Sequence, residues 1–458
     1  MCVQGLGFVG AAMAVAVAQA RTPEGIAAYQ VVGVDLPTPD GHARVDALNE
    51  GVFPFPTSDK KMVTALTEAH EVENLRATTD SSVFQSADVA IVDIPLDIDF
   101  LDDDPQLEMS SLEKAIRTIG RQIPKGSLII VETTVPPGTC KKFVLPVLEE
   151  ELRKRNLDNN VVHLAVSFER VMPGAHYLDS IINFWRVYAG HTESAADACQ
   201  AFLQSIVDVQ RFPLTRLSSI TAVETAKVME NTYRAANIAF VDEWTKYAEA
   251  VGLDLYEIID AIRVRPTHSN IRTPGLGVGG YCLTKDPAFT PAVAKQVFGL
   301  NELEFPFSKL ALKVNSNMPR HSVNRLVNLL EGSCIGKSIL VLGLSYRQDI
   351  GDTRYSPVEV LVRDLESLGA QVTVYDPYLD YWPEMDRPLP IKIPDADGAD
   401  AVVIATPHHE FKILNFPKWL SNTRTVVLDT ANVVSADERM ICRNSGIRIE
   451  SIGRGDGL

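Results

Sequence analysis

Six cysteines, Cys2, Cys140, Cys199, Cys282, Cys334 and Cys442, are scattered over 458 residues without C-x-x-C spacing. Neither a disulfide framework nor a zinc site is indicated, and a reducing cytoplasm suits them best. Positive charge is also scarce: 43 Lys and Arg against 59 Asp and Glu leave a net charge of −16. Binding a nucleic acid backbone needs clustered cations, so that class of partner is excluded and any phosphate must be held locally. Long apolar runs are missing as well. The strongest near the start, Ala11 to Ala18, is too short for a membrane span and lacks the charged flank of a signal peptide, so neither membrane attachment nor export is expected. Only Met1 to Gln4 precede the first glycine, fewer than the roughly 5 to 6 residues of a typical strand, which leaves room for a native start upstream.

What is present is an ordinary globular composition, 46% hydrophobic and 22% charged. The chain exceeds the roughly 250 to 300 residues at which one core stops growing, so several domains are expected. Strand-length apolar runs, V-V-G-V-D at Val31–Asp35, V-A-I-V-D-I at Val89–Ile94 and L-I-I-V-E at Leu128–Glu132, alternate with helical stretches and predict a parallel sheet. From about Leu217 to Val251 no turn residue interrupts the chain, which predicts one long helix ending before Gly252. A second α/β block opens at Gly336 with S-I-L-V-L-G-L and continues through V-T-V-Y-D-P, A-V-V-I-A-T-P and T-V-V-L-D-T. The expected fold is α/β: two Rossmann-like doubly wound domains, 1–210 and 331–458, joined by a helical middle, 211–330.

G-L-G-F-V-G at Gly5–Gly10 lies between an apolar start and a helical run, the context in which such glycines admit a dinucleotide pyrophosphate to a helix N-terminus. Gly5, Gly7, Phe8, Val9 and Gly10 are therefore candidate cofactor contacts. Asp35, at the end of the next strand, is placed to accept the ribose hydroxyls and to repel a 2′-phosphate, favouring NAD over NADP. G-L-G-V-G-G-Y-C-L-T-K-D-P at Gly275–Pro287 sets Cys282 behind a run of glycines and ahead of Lys285 and Asp286. Glycine so dense predicts a close-approach loop, and a cation near a thiol makes thiolate available near neutral pH.

In these motifs the chain resembles the UDP-glucose and UDP-N-acetylhexosamine 6-dehydrogenases. The likeness runs from Gly5 to about Asn432 and adds, in the family's order, T-T-V-P-P-G-T at Thr133–Thr139, E-R-V-M-P-G at Glu169–Gly174, K-V-M-E-N at Lys227–Asn231 and D-T-R-Y-S-P at Asp352–Pro357. The resemblance implies an NAD-binding N-terminal domain, a helical dimerisation core and a C-terminal domain that binds the nucleotide sugar. It implies Cys282 as nucleophile, Lys227 and Asn231 as stabilisers of the oxyanion at carbon 6, and Thr134 and Glu169 as the pair that handles the hydrolytic water, with Asp286 close by. Thr134 and Lys285 would also contact cofactor. Glu169, Arg170, Val171, Lys227, Asn231, Arg234, Gly279 and Arg347 would contact the UDP-sugar. Without the resemblance, Lys227 and Asn231 read first as a solvated helix face, and the alternative for Glu169 is a surface partner of Arg170.

The chain departs from the family pattern at Ile94–Asp97, where I-P-L-D replaces V-P-T-P, at Arg347, where a Lys is usual, and at Phe168, where a Pro is usual. E-R-V-M-P-G and E-N-T-Y-R-A-A-N-I-A, with Arg234 and Asn237 expected near the sugar, point to a UDP-N-acetylhexosamine. Lys285-Asp286 after the nucleophile points to UDP-glucose. A two-electron 3-hydroxyacid dehydrogenase would leave the Cys282 loop and the C-terminal block unexplained. A protein that kept the fold and lost the chemistry would be expected to lose Cys282, Lys227 or Asn231.

Overall fold

The structure is a computed structural model that describes residues 1–101, 104–421 and 424–455. The chain divides into two compact units, Met1–Glu230 with Ala288–Glu304, and Asn231–Pro287 with Phe305–Leu458.

The first unit is built on an eight-stranded sheet. Its spatial order is Thr215–Arg216, Val187–Gly190, His163–Val166, Leu128–Val131, Val89–Val92, Cys2–Gln4, Val31–Val34 and Leu75–Thr78. All neighbours are parallel except His163–Val166 with Val187–Gly190. Parallel strands are covered on both faces, so their residues are apolar throughout and alternate between two cores. Ile91 and Ile130 enter one core, while Ala90, Val92, Ile129 and Val131 enter the other. The helix Phe8–Ala18 is buried from Gly10 to Ala18, which is why its sequence, A-A-M-A-V-A-V-A, carries no polar face.

The second unit holds a five-stranded, wholly parallel sheet in the order Gln371–Tyr375, Ser338–Leu342, Ala401–Ile404, Val426–Asp429 and Ile449–Ser451. Its strands alternate in the same way: Ile339 and Val341 face one core, Leu340 and Leu342 the other. In both sheets consecutive strands diverge to either side of the first, creating a switch point where open α/β sheets bind ligands. In the first sheet it lies between Cys2–Gln4 and Val89–Val92, in the second between Ser338–Leu342 and Ala401–Ile404.

The long helix runs from Ile220 to Ala250, 31 residues, or about 46 Å at 1.5 Å per residue. A second one, Pro306–Leu329, begins with proline at its first position, where no N–H is needed, and carries Pro319 within. Among the described residues no helix is long and apolar enough to cross a membrane.

Candidate active site

At the first switch point each glycine of G-L-G-F-V-G has its own reason. Gly5 adopts φ +94, and a Cβ there would stand 2.3 Å from the Asp93 carbonyl oxygen; a Cβ on Gly10 would stand 1.8 Å from the Gly5 carbonyl oxygen. These two glycines let strand, turn and helix close on one another. A Cβ on Gly7 would meet nothing within 4 Å, so its absence leaves open space at the helix N-terminus, the place a pyrophosphate occupies in this motif. Phe8 stacks on Phe55 with ring centroids 4.0 Å apart. Asp35 is buried and accepts N–H groups from Leu6 at 3.3 Å and Leu36 at 2.8 Å, and its Oδ2 pairs with the Arg44 guanidinium at 3.0 Å. Open space at Gly7 beside an oriented carboxylate fits a dinucleotide.

The carboxyl edge of the same sheet carries polar groups that are almost wholly buried. Val92 pairs with Val131 and Val131 with Val166, so the next residues, Asp93, Glu132 and Ser167, follow in one row. All three are buried, as is Arg186, which pairs with Glu132. Burial pulls the Arg186 guanidinium down to about 10, with the Asp93 charge pushing it back. Burial, then the Glu169 charge, pushes the Asp93 carboxyl well above its ordinary range, against the pull of Arg186. Asp93 stands next to the turn at Gly5.

Glu169 and Lys227 are brought together, and both are buried. Lys227 Nζ donates to the Glu169 carbonyl oxygen at 2.7 Å and lies 3.7 Å from Oε1, while Oε2 accepts the Val171 N–H. Phe168, standing where the family has proline, puts its ring 5.4 Å from Lys227 Nζ and 5.0 Å from the Arg170 guanidinium. Arg170 pairs with Glu230 at 2.8 Å rather than with Glu169, so the surface-pair alternative for Glu169 does not hold. Thr134 is half-buried. Its neighbour Thr133 ties the loop to the strand end, its Oγ1 accepting the Ile94 N–H at 2.9 Å.

In the second unit Asn231, Lys285 and Asp286 form a buried cluster. Asn231 Nδ2 donates to Asp286 Oδ2 at 2.7 Å, and Lys285 Nζ sits 3.0 Å from Oδ1 and 4.3 Å from the centre of the Tyr281 ring. The Cys282 carbonyl accepts the Asp286 N–H at 2.9 Å, which ties the turn at Cys282 to that cluster. Cys282 is half-buried; the other five cysteines are buried. Burial pushes the Tyr346 phenol up to about 12, with the Asp352 charge adding to it.

The glycines ahead of Cys282 are explained by close approach, but the approaching group is protein. A Cβ on Gly277 would lie 2.6 Å from Pro357 Cβ, one on Gly279 2.5 Å from Tyr346 Cβ, and one on Gly280 2.6 Å from the Tyr346 ring. The loop is seated on the L-S-Y-R and D-T-R-Y-S-P turns of the same unit. Arg234 Nη1 reaches Asn231 Oδ1 at 3.4 Å. Asn237 is engaged elsewhere, donating to the Asn270 carbonyl at 3.0 Å and accepting the Arg272 N–H at 3.1 Å. Arg347 is exposed on its turn.

Sequence reasoning overlooks Arg44, Asp93, Arg186 and Glu224. An aspartate inside the apolar run V-A-I-V-D-I is the one signal that could have found Asp93.

The NAD binding domain of the UDP-glucose/GDP-mannose dehydrogenase family matches residues 1–207, its central domain 221–317 and its UDP binding domain 340–436. A UDP-N-acetyl-D-mannosamine dehydrogenase of Pyrococcus horikoshii is 32% identical over 464 residues, covering 100% of this chain and 99% of the relative. A UDP-N-acetyl-D-glucosamine 6-dehydrogenase of Pseudomonas aeruginosa is 29% identical over 419 residues, covering 90% of this chain and 91% of the relative. A solved structure of UDP-D-ManNAc dehydrogenase from Pyrococcus horikoshii matches with a TM-score of 0.84 at 29% identity, covering 100% of both chains. Dinucleotide turn, UDP-binding sheet and matches along the chain agree: it belongs to the UDP-glucose/GDP-mannose dehydrogenase family and is an NAD-dependent nucleotide sugar dehydrogenase.

Proposed function

We propose that the chain oxidises the C6 hydroxyl of a UDP-N-acetylhexosamine to the uronate in two hydride transfers, through a thiohemiacetal and then a thioester on Cys282. The observation that carries this reading is the setting of Cys282: the one half-buried thiol, at the end of a glycine turn and hydrogen-bonded through its carbonyl to Asp286. NAD, when bound, supplies the hydride acceptor. Cys282 adds to the C6 aldehyde and keeps it from escaping. The Lys227 ammonium and the Asn231 amide stabilise the oxyanion, and Asp286, by accepting from Asn231, holds that amide in one orientation. Thr134 and Glu169 position and deprotonate the water that cleaves the thioester. Gly5, Gly7, Phe8, Val9, Gly10, Asp35 and Lys285 serve the cofactor; Arg170, Val171, Arg234, Gly279 and Arg347 serve the UDP-sugar. Segments 1–210, 211–330 and 331–458 divide the work into NAD binding, catalysis with dimerisation, and nucleotide-sugar binding.

The N-acetylhexosamine assignment is supported by E-R-V-M-P-G and by relatives named for UDP-N-acetylmannosamine and UDP-N-acetylglucosamine. Purified protein with NAD should show a higher kcat/KM on at least one UDP-N-acetylhexosamine than on UDP-glucose. A clear preference for UDP-glucose would overturn the sugar while leaving the mechanism standing.

A homodimer through the long helix is part of the same reading. Tyr233, Phe240, Trp244 and Tyr247 lie along it with 48 to 55% of their surface exposed, an apolar stripe that a second copy would cover. Sedimentation should return the mass of at least two chains, and Trp244→Glu should lower it. A single-chain mass for the unmodified protein would refute the dimer.

A further inference from the structure

The segment Thr133–Cys140 carries Thr134, and its own main chain closes one turn, the Thr139 N–H donating to the Pro136 carbonyl at 3.1 Å. Pro136 and Pro137 have no N–H to give, and the following turn needs Gly138 at φ +89. At its start the segment is fixed by Thr133, bonded to Ile94 as described. At its end both oxygens of one buried carboxylate are used: Glu224 Oε2 accepts the Gly138 N–H at 2.6 Å and Oε1 accepts the Cys140 N–H at 2.7 Å. Beyond it the chain enters a π-helical turn, Cys140–Val144, a distortion often found next to functional sites. Glu224 stands in the first turns of the long helix, three residues before Lys227, whose ammonium is bonded to the Glu169 carbonyl. The same stretch of helix therefore grips the Thr134 segment with one side chain and the Glu169 segment with the next.

We propose that Glu224 is a positioning residue for catalysis, a two-pronged clamp that sets Thr134 relative to Glu169. This rests on the hydrolytic roles given to those two residues under the proposed function. A carboxylate suits the task because it accepts with both oxygens, whereas an amide must turn an N–H toward one of the two donors. Burial pushes the Glu224 carboxyl up to about 7, and the Cys140 and Gly138 amides and the Cys140 thiol pull it back. Cys140 is the titratable group facing it. The comparison is best made at pH 8.5, where the parent is ionised and the Gln variant is not.

Glu224→Gln is nearly isosteric, so the variant should still fold, with a melting temperature within about 4 °C of the parent. Its kcat should fall on the order of 10- to 100-fold, the cost of a small misplacement, with KM for NAD and sugar nearly unchanged. Glu224→Ala should lose more. Hydrogen exchange of the Gly138 and Cys140 amides, measured without substrate, should speed up at least tenfold in Gln and further in Ala. Unchanged kcat in the Gln variant, or a loss of kcat with both amides still protected, would overturn the clamp. A parent that makes no NADH from any nucleotide sugar would instead overturn the oxidation reading, and the amide exchange alone would then decide the clamp.

Discussion

Replacing Cys282 with serine should lower turnover by at least about 1,000-fold, the scale on which loss of a covalent nucleophile acts, while NAD and sugar still bind. Serine differs by one atom, so the glycine turn against Tyr346 and Pro357 and the carbonyl's bond to the Asp286 N–H remain. What is lost is an easily ionised group: a free thiol titrates near 8.5, and a hydroxyl does not ionise in this range. Dissociation constants should therefore change by no more than about threefold, well under 1 kcal/mol. Turnover by the variant within tenfold of the parent would remove Cys282 from the mechanism.

Glu169→Gln should spare the first oxidation and slow thioester hydrolysis by about 100- to 10,000-fold, the contribution of a positioned general base. The substitution leaves Lys227 in place, because its bond at 2.7 Å goes to the main-chain carbonyl of Glu169 and not to the carboxylate. Acyl-enzyme should then accumulate, and intact mass after a quench should show the uronyl adduct on Cys282. If the variant turns over slowly with no adduct, the slow step lies before the thioester, and Glu169 is not its base.

Much of this was legible in the chain. The long helix could be read because neither glycine nor proline occurs between Leu217 and Val251, and its i, i+4 spacing put Lys227 and Asn231 on one face. Buried parallel strands show as unbroken apolar runs, which made both sheets visible. The partners of the site residues were not visible, because they come from distant sequence. Arg44 closes on Asp35, Arg186 on Glu132, and Glu224 on a turn more than eighty residues before it. The dense glycines ahead of Cys282 signalled close approach correctly, yet nothing local tells whether a ligand or the protein approaches; here Tyr346 and Pro357 do. Lys285, read as a cofactor contact beside the thiol, has its ammonium on Asp286 and the Tyr281 ring.

Counting NADH against sugar consumed tests the central claim most directly. Taking an alcohol to a carboxylate removes four electrons and each NAD accepts two, so an aldehyde held on Cys282 until it is oxidised again requires two NADH per sugar with no free aldehyde in solution. The account predicts that ratio on the sugar turned over best. One NADH per sugar, or an aldehyde trapped from the medium, would contradict it.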